Sequence, residues 1–319
     1  LNFQQLRSVR ETVRQGFNLT TVADALHTSQ PGVSRQIREL EDELGIEIFV
    51  RAGKRLTGLT SPGATVLPII ERLLQECNNL KQAGDDFASA GRGVLTIAAT
   101  HSQARYSLPP AVRDFSKTHP DVSLRMHQGS PKQVAELLLA GEADIAVATE
   151  AIADYPDLVA LPGGSWTHCV IVPQNHALAE STRQGQRLTL ARLADFPIIT
   201  YEPGFTGRSH IDEAFRLQGL SFNLVLAAMD ADVIKTYVEL GMGAGIIAGM
   251  AYDAARDAHL CAIDAGDLFA SSTNRLALRR GSFLRSYVYD FIQGFSASLT
   301  REVVEQAMTA ASIPPREGR

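Results

Sequence analysis

At 319 residues and 45% hydrophobic content, the chain is long enough for two or three units and apolar enough to give each a buried core. No apolar run approaches the ~20 residues of a membrane span, and residues 1–14 mix Arg, Gln and Glu with apolar side chains, unlike a secretory signal. A net charge of −5 and three scattered cysteines, Cys77, Cys169 and Cys261, exclude a broadly basic protein, a disulfide framework and a metal-spaced cysteine cluster, and fit reduced thiols in a cytoplasmic protein.

Phe3, Leu6, Val9, Val13 and Phe17 recur every three or four residues and predict a first amphipathic helix. Asn18 is an N-cap for a short second helix carrying Val22, Ala23 and Leu26. Ser29-Gln30-Pro31 starts a third, since Ser29 can cap and Pro31 lies where a missing N–H costs nothing. That helix is expected to bury Val33, Ile37, Leu40 and Leu44 and to stop at Gly45. Two short helices joined by a tight turn make a helix-turn-helix. The polar face of the third helix, Ser29, Gln30, Pro31, Ser34, Arg35 and Arg38, is then the one that enters a major groove, where Gln pairs with adenine and Arg with guanine or phosphate. Residues 47–51 alternate like a strand, and Gly53-Lys54-Arg55 forms a basic hairpin tip, so Arg51, Lys54 and Arg55 read as a wing on the DNA backbone. The acidic run Glu39, Glu41, Asp42 and Glu43 interrupts this basic face. The spacing from Ala23 through Ser29-Gln30-Pro31, Ser34, Ile37, Leu40-Glu41 and Leu44-Gly45 to Phe49 and Arg51 resembles the signature of LysR-type regulators almost position by position.

From Pro62 the chain turns helical again. Val66, Ile70, Leu73, Cys77, Leu80, Gly84 and Phe87 keep a heptad spacing, a seam that one helix cannot bury alone. Ile70, Leu73, Cys77 and Leu80 are the expected dimerisation contacts, and Pro68 is expected to kink or delay the helix. Gly91-Arg92-Gly93 closes the segment as a joint.

Beyond Gly93, strands and helices alternate. Strands are expected over 94–99, 122–127 and 144–148, near Val170, Ile198 and Val225, and over 275–279. Helices are expected over 108–118, 131–140, 211–217 and 233–240, with one long final helix over 284–299. This is an α/β domain, and such sheets bind ligands beyond the carboxyl ends of their strands. Four polar clusters fall at strand ends: Thr100-His101-Ser102-Gln103, Gly129-Ser130-Pro131, Thr149-Glu150 and Tyr201-Glu202-Pro203-Gly204. Their joint placement suits a small anion held by hydroxyls and N–H groups without a buried cation.

This half resembles the cysteine-regulon branch of the LysR family, the CysB/Cbl regulators. The resemblance runs through residues 100–106, His127-Gln128-Gly129-Ser130-Pro131, Ala148-Thr149-Glu150-Ala151, residues 204–209, residues 230–238 and residues 283–287. It implies a mainly α winged helix-turn-helix (1–60), a linker and dimerisation helix (61–90) and an α/β effector-binding domain (91–319). That domain would have two subdomains of the type 2 periplasmic-binding-protein fold, about 91–164 with 267–319, and about 165–266. It implies a homotetramer built as a dimer of dimers, double-stranded operator DNA and RNA polymerase as partners, and activation of sulfur-assimilation genes. N-acetylserine or O-acetylserine would be inducers, with sulfate or thiosulfate in the same cleft. The branch's anion-binding positions carry over to Thr100, Ser102, Gln103 and Thr149, with Ser102 replacing a threonine; Ser130 and Glu202 complete the candidate set. Glu202 stands where the branch has threonine, so either it points away or the chain prefers another effector. Regulation of sulfonate use is the alternative within this class, and a solute-binding protein for anion transport the alternative outside it.

No enzyme motif survives inspection. Gly241-Met242-Gly243-Ala244-Gly245 follows a helix and precedes a strand, the reverse of a dinucleotide-binding loop, so no cofactor is expected. There is no Gly-x-Ser-x-Gly elbow, phosphate loop or zinc spacing. His127, His168, His176 and His210 are scattered and read as packed or solvated side chains.

Overall fold

The computed structural model describes residues 1–53, 55–88 and 91–310. They divide into two compact units, 1–88 and 89–319. Among the described residues, no helix is long and apolar enough to cross a membrane.

The first unit contains α1 (Phe3–Arg14), α2 (Leu19–Ala25), α3 (Gln30–Leu44), β1 (Phe49–Ala52), β2 (Arg55–Leu59) and α4 (Ser61–Ala88). Local chemistry sets most of the boundaries. Asn2 and Gln5 form a reciprocal capping box on α1, Asn18 caps α2, and the Ser29 hydroxyl accepts from Gly32 N at the start of α3. Gly45 ends α3 in the left-handed conformation, which glycine enters without a Cβ penalty. Leu6, Val9, Val22, Val33, Ile37, Leu40, Ile48 and Phe49 form one core, each burial stabilising by about 1.5–3 kcal/mol before ordering costs. Three expectations change. Phe3 and Leu44 are exposed, because each sits at a helix end beyond the packed stripe. Phe17 lies past α1 with positive φ, yet its ring meets Phe49 edge to face at 6.1 Å. Helix α4 runs on through Pro68, where Ala64 and Pro68 are both exposed, so the carbonyl deprived of its partner is open to hydration. At the start of α4, Gly63 passes so close to the backbone that an added Cβ would lie 2.0 Å from the Ile48 carbonyl oxygen.

The second unit has two lobes, each built on a five-stranded sheet. Lobe one contains β3 (Gly93–Ala99), α5 (Pro109–Thr118), β4 (Val122–Gln128), α6 (Pro131–Ala140), β5 (Ile145–Ala148) and β6 (Leu158–Trp166). The chain then crosses at Thr167 to lobe two: β7 (His168–Pro173), α7 (Ala177–Arg183), α8 (Leu190–Ala194), β8 (Pro197–Tyr201), α9 (Thr206–Leu217), β9 (Asn223–Ala228), α10 (Ala231–Glu239), β10 (Ala244–Ala248) and β11 (Leu260–Asp264). It returns through 265–271 to β12 (Ser272–Arg279), α11 (Ser286–Phe295) and α12 (Arg301–Thr309) in lobe one. The sheet orders are β4-β3-β5-β12-β6 and β11-β7-β10-β8-β9. In each, four strands share one direction and a single strand, β12 in lobe one and β7 in lobe two, runs antiparallel to its neighbours.

Strands β6 and β11 were not foreseen. Pro162-Gly163-Gly164 reads as a chain breaker, but β6 passes it with a bulge at Gly163, as Asn274 and Arg275 of β12 pair with Gly164 and Pro162. The expected long helix over 284–299 is the shorter α11, which ends at Phe295; beyond that span the Thr300 hydroxyl accepts from Val303 N and starts a further helix, α12.

Candidate functional site

In the first unit, α3 and the β1–β2 hairpin border one groove. Gln30, Pro31, Ser34, Arg35 and Arg38 line it from the helix, and Arg51 and Gly53 from the hairpin. Ser29 is exposed but spends its hydroxyl on capping, and Gln30 Nε2 donates to Ser34 Oγ at 3.2 Å. Arg35 reaches Glu39 at 2.9 Å with 80% of its side chain exposed, a pair weak enough to open for a better partner. Arg55 is exposed beside Leu56, and Lys54 lies outside the described residues.

Glu41, grouped by sequence with the acidic run, is 8% exposed and works as a bracket. It accepts from the backbone N–H of Ile48 (2.8 Å) and Phe49 (3.2 Å) and from Arg51 Nη2 at 2.6 Å. The hairpin is therefore tied to α3 through one buried carboxylate, and one nitrogen of Arg51 is committed to that tie.

The expected seam of α4 divides. Ile70 is 4% exposed and belongs, with Leu74, to the core of its own unit, so it is withdrawn from the dimerisation set. The physical cause is the 3.6-residue turn, which carries the first part of the stripe onto the first unit. Leu73 and Leu80 are exposed and Cys77 is half-buried.

In the second unit, a cavity of about 30 Å³ lies between the lobes. Thr100, Ser102, Gln103 and Thr149 line it from lobe one, Tyr201, Phe205, Thr206, Gly207 and Ala248 from lobe two, and Trp166 from the crossover strand. Among the described residues, no charged side chain lines it. The lobes meet there through a 2.6 Å hydrogen bond between the Thr149 and Thr206 hydroxyls. Gln103 is 1% exposed; its Nε2 donates to Asn274 Oδ1 at 2.7 Å, while its Oε1 has no partner among the described residues. The Trp166 indole N–H is likewise buried and unpaired among them. Buried polar atoms left open cost about 1–3 kcal/mol each, so a ligand bonding to them would gain. Burial raises the Tyr201 phenol, which stays neutral and accepts from Ala248 N at 3.0 Å. Behind Gly207, burial and secondarily the neighbouring His210 push the His168 imidazole down to about 4, while its Nε2 meets the Gly207 carbonyl at 3.1 Å.

Two candidates are corrected. Ser130 does not line the cavity: its Oγ accepts from Gln133 N in a capping box on α6. Glu202 is exposed and also absent from the lining. Its place explains it: β8 is buried through Tyr201 at 3% exposure, and Glu202 is the first residue past the strand end. Arg208, its nearest imaginable partner in sequence, pairs instead with Asp212 at 2.8 Å. Tyr201 stood in one of the four polar clusters; the lining residues outside them are Trp166, Phe205, Thr206, Gly207 and Ala248. Phe205 and Thr206 sat in a stretch already singled out, whereas nothing local marked Ala248.

Two family models match the chain: "Bacterial regulatory helix-turn-helix protein, lysR family" over residues 3–64 and "LysR substrate binding domain" over 88–300. The HTH-type transcriptional regulator SsuR of Burkholderia cenocepacia is 54% identical, covering 94% of this chain and 96% of that protein. The regulator CysB of the same organism is 54% identical over 97% of both. Among solved structures, the cofactor-binding domain of the Cbl transcriptional regulator is 44% identical with a TM-score of 0.65, covering 69% of this chain and 95% of that one. Full-length CbnR with its target DNA is 19% identical at a TM-score of 0.56 over 92% of this chain and 99% of that one, a likeness of fold.

Proposed function

The chain belongs to the LysR family of DNA-binding transcription regulators, in the branch of CysB, Cbl and SsuR, and from that premise we propose that it activates sulfur-assimilation and cysteine-synthesis genes in the cytoplasm, switched by a small effector in the cavity between its lobes. The effector is an acetylserine, N-acetylserine or O-acetylserine, with sulfate or thiosulfate as competing occupants. The supporting observation is that Thr100, Ser102 and Gln103 of one turn and Thr149, distant in sequence, line one cavity to which no charged side chain among the described residues contributes. Hydroxyls and amides can there bind an anion without a fixed counter-ion. The helix-turn-helix engages a promoter operator through Gln30, Ser34, Arg35 and Arg38. The wing of Arg51, Lys54 and Arg55 touches the backbone, and Leu73, Cys77 and Leu80 join two copies on the way to a homotetramer that recruits RNA polymerase.

A second reading has its own support: SsuR and CysB of one organism are equally similar to this chain, which leaves regulation of sulfonate use beside cysteine synthesis. Gel shifts on promoters of both gene sets, with calorimetric titration of the full-length protein by the four small molecules, distinguish them. Arg35→Ala is expected to weaken operator binding by ~1–3 kcal/mol while sparing random DNA. Absence of heat with all four ligands would remove the effector assignment, and unchanged operator affinity in Arg35→Ala would remove that base contact.

A further inference from the structure

The turn that brings Thr100, Ser102 and Gln103 to the cavity carries three more polar side chains that do not line it. His101, Arg105 and Tyr106 reach instead across to lobe two, and all three converge on Asp232 in the first turn of α10. Tyr106 Oη donates to Asp232 Oδ1 at 2.6 Å; Arg105 Nε lies 2.9 Å, and His101 Nε2 3.2 Å, from Oδ2. One turn along α10, Lys235 is 7% exposed. Its ammonium sits 2.9 Å from Asp257 Oδ2, 3.6 Å from Asp232 Oδ1 and 3.3 Å from Tyr106 Oη. Apart from Asp257, these residues fall in two stretches, 100–106 and 230–238, that the sequence singled out and that the DNA and effector assignments leave mostly unused.

We propose that Asp232 is a positioning residue of the effector cleft: held by Tyr106, Arg105 and His101, it clasps the lobes closed over the cavity, so that a residue outside the cavity sets effector affinity. The proposal rests on the effector reading of that cavity. His101, Asp230 and Asp232 lie close enough to share a cation, but Arg105 and Lys235 already supply the positive charge, so the cluster is complete as an ion-pair network. Burial alone would raise the Asp232 carboxyl; the Tyr106 and His101 hydrogen bonds and the Arg105 and Lys235 charges bring it below the ordinary range. Burial would likewise lower Lys235, and Asp257 and Tyr106 raise it above its usual value. Both groups are therefore charged at neutral pH, and the clasp is set without a ligand. A ligand that needs the lobes closed binds a protein already biased to that arrangement, and its apparent affinity falls with the closed fraction. Because His101 is flanked by Thr100 and Ser102, any shift of the turn moves clasp and cavity together.

The test uses the full-length protein with Asp232→Asn, Tyr106→Phe and Asp232→Glu. Without added ligand, Asp232→Asn should speed amide hydrogen exchange about 3–10-fold in residues 100–107 and in α10, with β5 and β10 unchanged. Tyr106→Phe should do the same more weakly, and Asp232→Glu should restore part of the protection. Dissociation constants for sulfate and N-acetylserine should rise by a similar factor. Wild-type exchange at both segments in Asp232→Asn, or an increase spread evenly over the second unit, would overturn the clasp. If Asp232→Asn fails to fold, the milder Tyr106→Phe decides on the same criterion. If neither probe binds the wild type, the effector reading fails while the exchange comparison still judges the clasp.

Discussion

In the first unit, Gln30, Pro31, Ser34, Arg35 and Arg38 all come from one helix, whereas the cavity draws Thr100, Thr149, Trp166, Tyr201 and Ala248 from separate segments in both lobes. The first surface is specified by spacing: a cap, an early proline and a 3.6-residue period decide which side chains share a face. The second is specified by topology. Four of its walls are the carboxyl ends of β3, β5, β8 and β10, which only the sheet pairings bring together. A single-residue change in direction there moves a side chain out of the site, as it does between Tyr201 and Glu202. Recognition built on one helix tolerates coarse knowledge of the fold, and recognition built between two sheets does not.

Two substitutions test whether the units stand apart energetically. The larger effect is expected from Gly63→Ala. Its Cβ would meet the Ile48 carbonyl oxygen at 2.0 Å, a backbone atom that cannot rotate away. Forcing α4 off the β1 segment should cost about 3 kcal/mol, the upper end of ordinary overpacking. Chemical denaturation should show the first unit melting early and operator binding lost, while effector heats of the second unit persist. Simultaneous loss of both would break the comparison.

The second substitution concerns acid. Because the folded His168 titrates near 4 and an unfolded histidine near 6.5, the unfolded chain binds the extra proton between those values. Stability of the second unit should be full above about pH 6.5 and fall as the pH drops toward 4, by about 2–3 kcal/mol from this group. In His168→Asn that part of the slope should vanish, measured by urea unfolding at pH 7 and pH 4.5. An unchanged slope would mean that His168 takes up a proton in the folded state.

Much of the fold was legible from sequence. Helices α1 to α3, the hairpin of the wing and the lobe strands β3, β4 and β5 all carry local signals, and local chemistry placed them. What escaped has physical reasons. Strand β6 hides behind Pro162-Gly163-Gly164, where it bulges at Gly163 and keeps its pairing with β12 on both sides. Ile70 keeps the heptad rhythm, yet the core it joins belongs to its own unit. Glu41 looked like one more surface acid in a run of four, and only the approach of Ile48, Phe49 and Arg51 makes it a bracket. Trp166 gave no signal beyond being the single tryptophan.

Glu202 offers the finest test, and the expected effect is the smallest. A carboxylate facing the cavity would repel a bound sulfate, and replacing it by threonine would then tighten sulfate by ~1–3 kcal/mol. The structure argues for the opposite outcome. The side chain is exposed, the cavity wall is made by Tyr201 before it and by Phe205, Thr206 and Gly207 after it, and its backbone N–H is bonded to the Ala228 carbonyl at 3.1 Å. That bond fixes the strand end, so a threonine would inherit the same outward direction. A solvated carboxylate at the surface acts on the cavity only through water and salt, which screen it over roughly 8 Å at physiological ionic strength. Glu202→Thr should therefore leave the sulfate isotherm within about 0.5 kcal/mol of wild type, the usual range for a surface change. Thr149→Val in parallel removes a hydroxyl that lines the cavity and should weaken the same isotherm. A tighter isotherm in Glu202→Thr would mean that the end of β8 rotates when sulfate binds, and that the residue directly after Tyr201 joins the site in the occupied state.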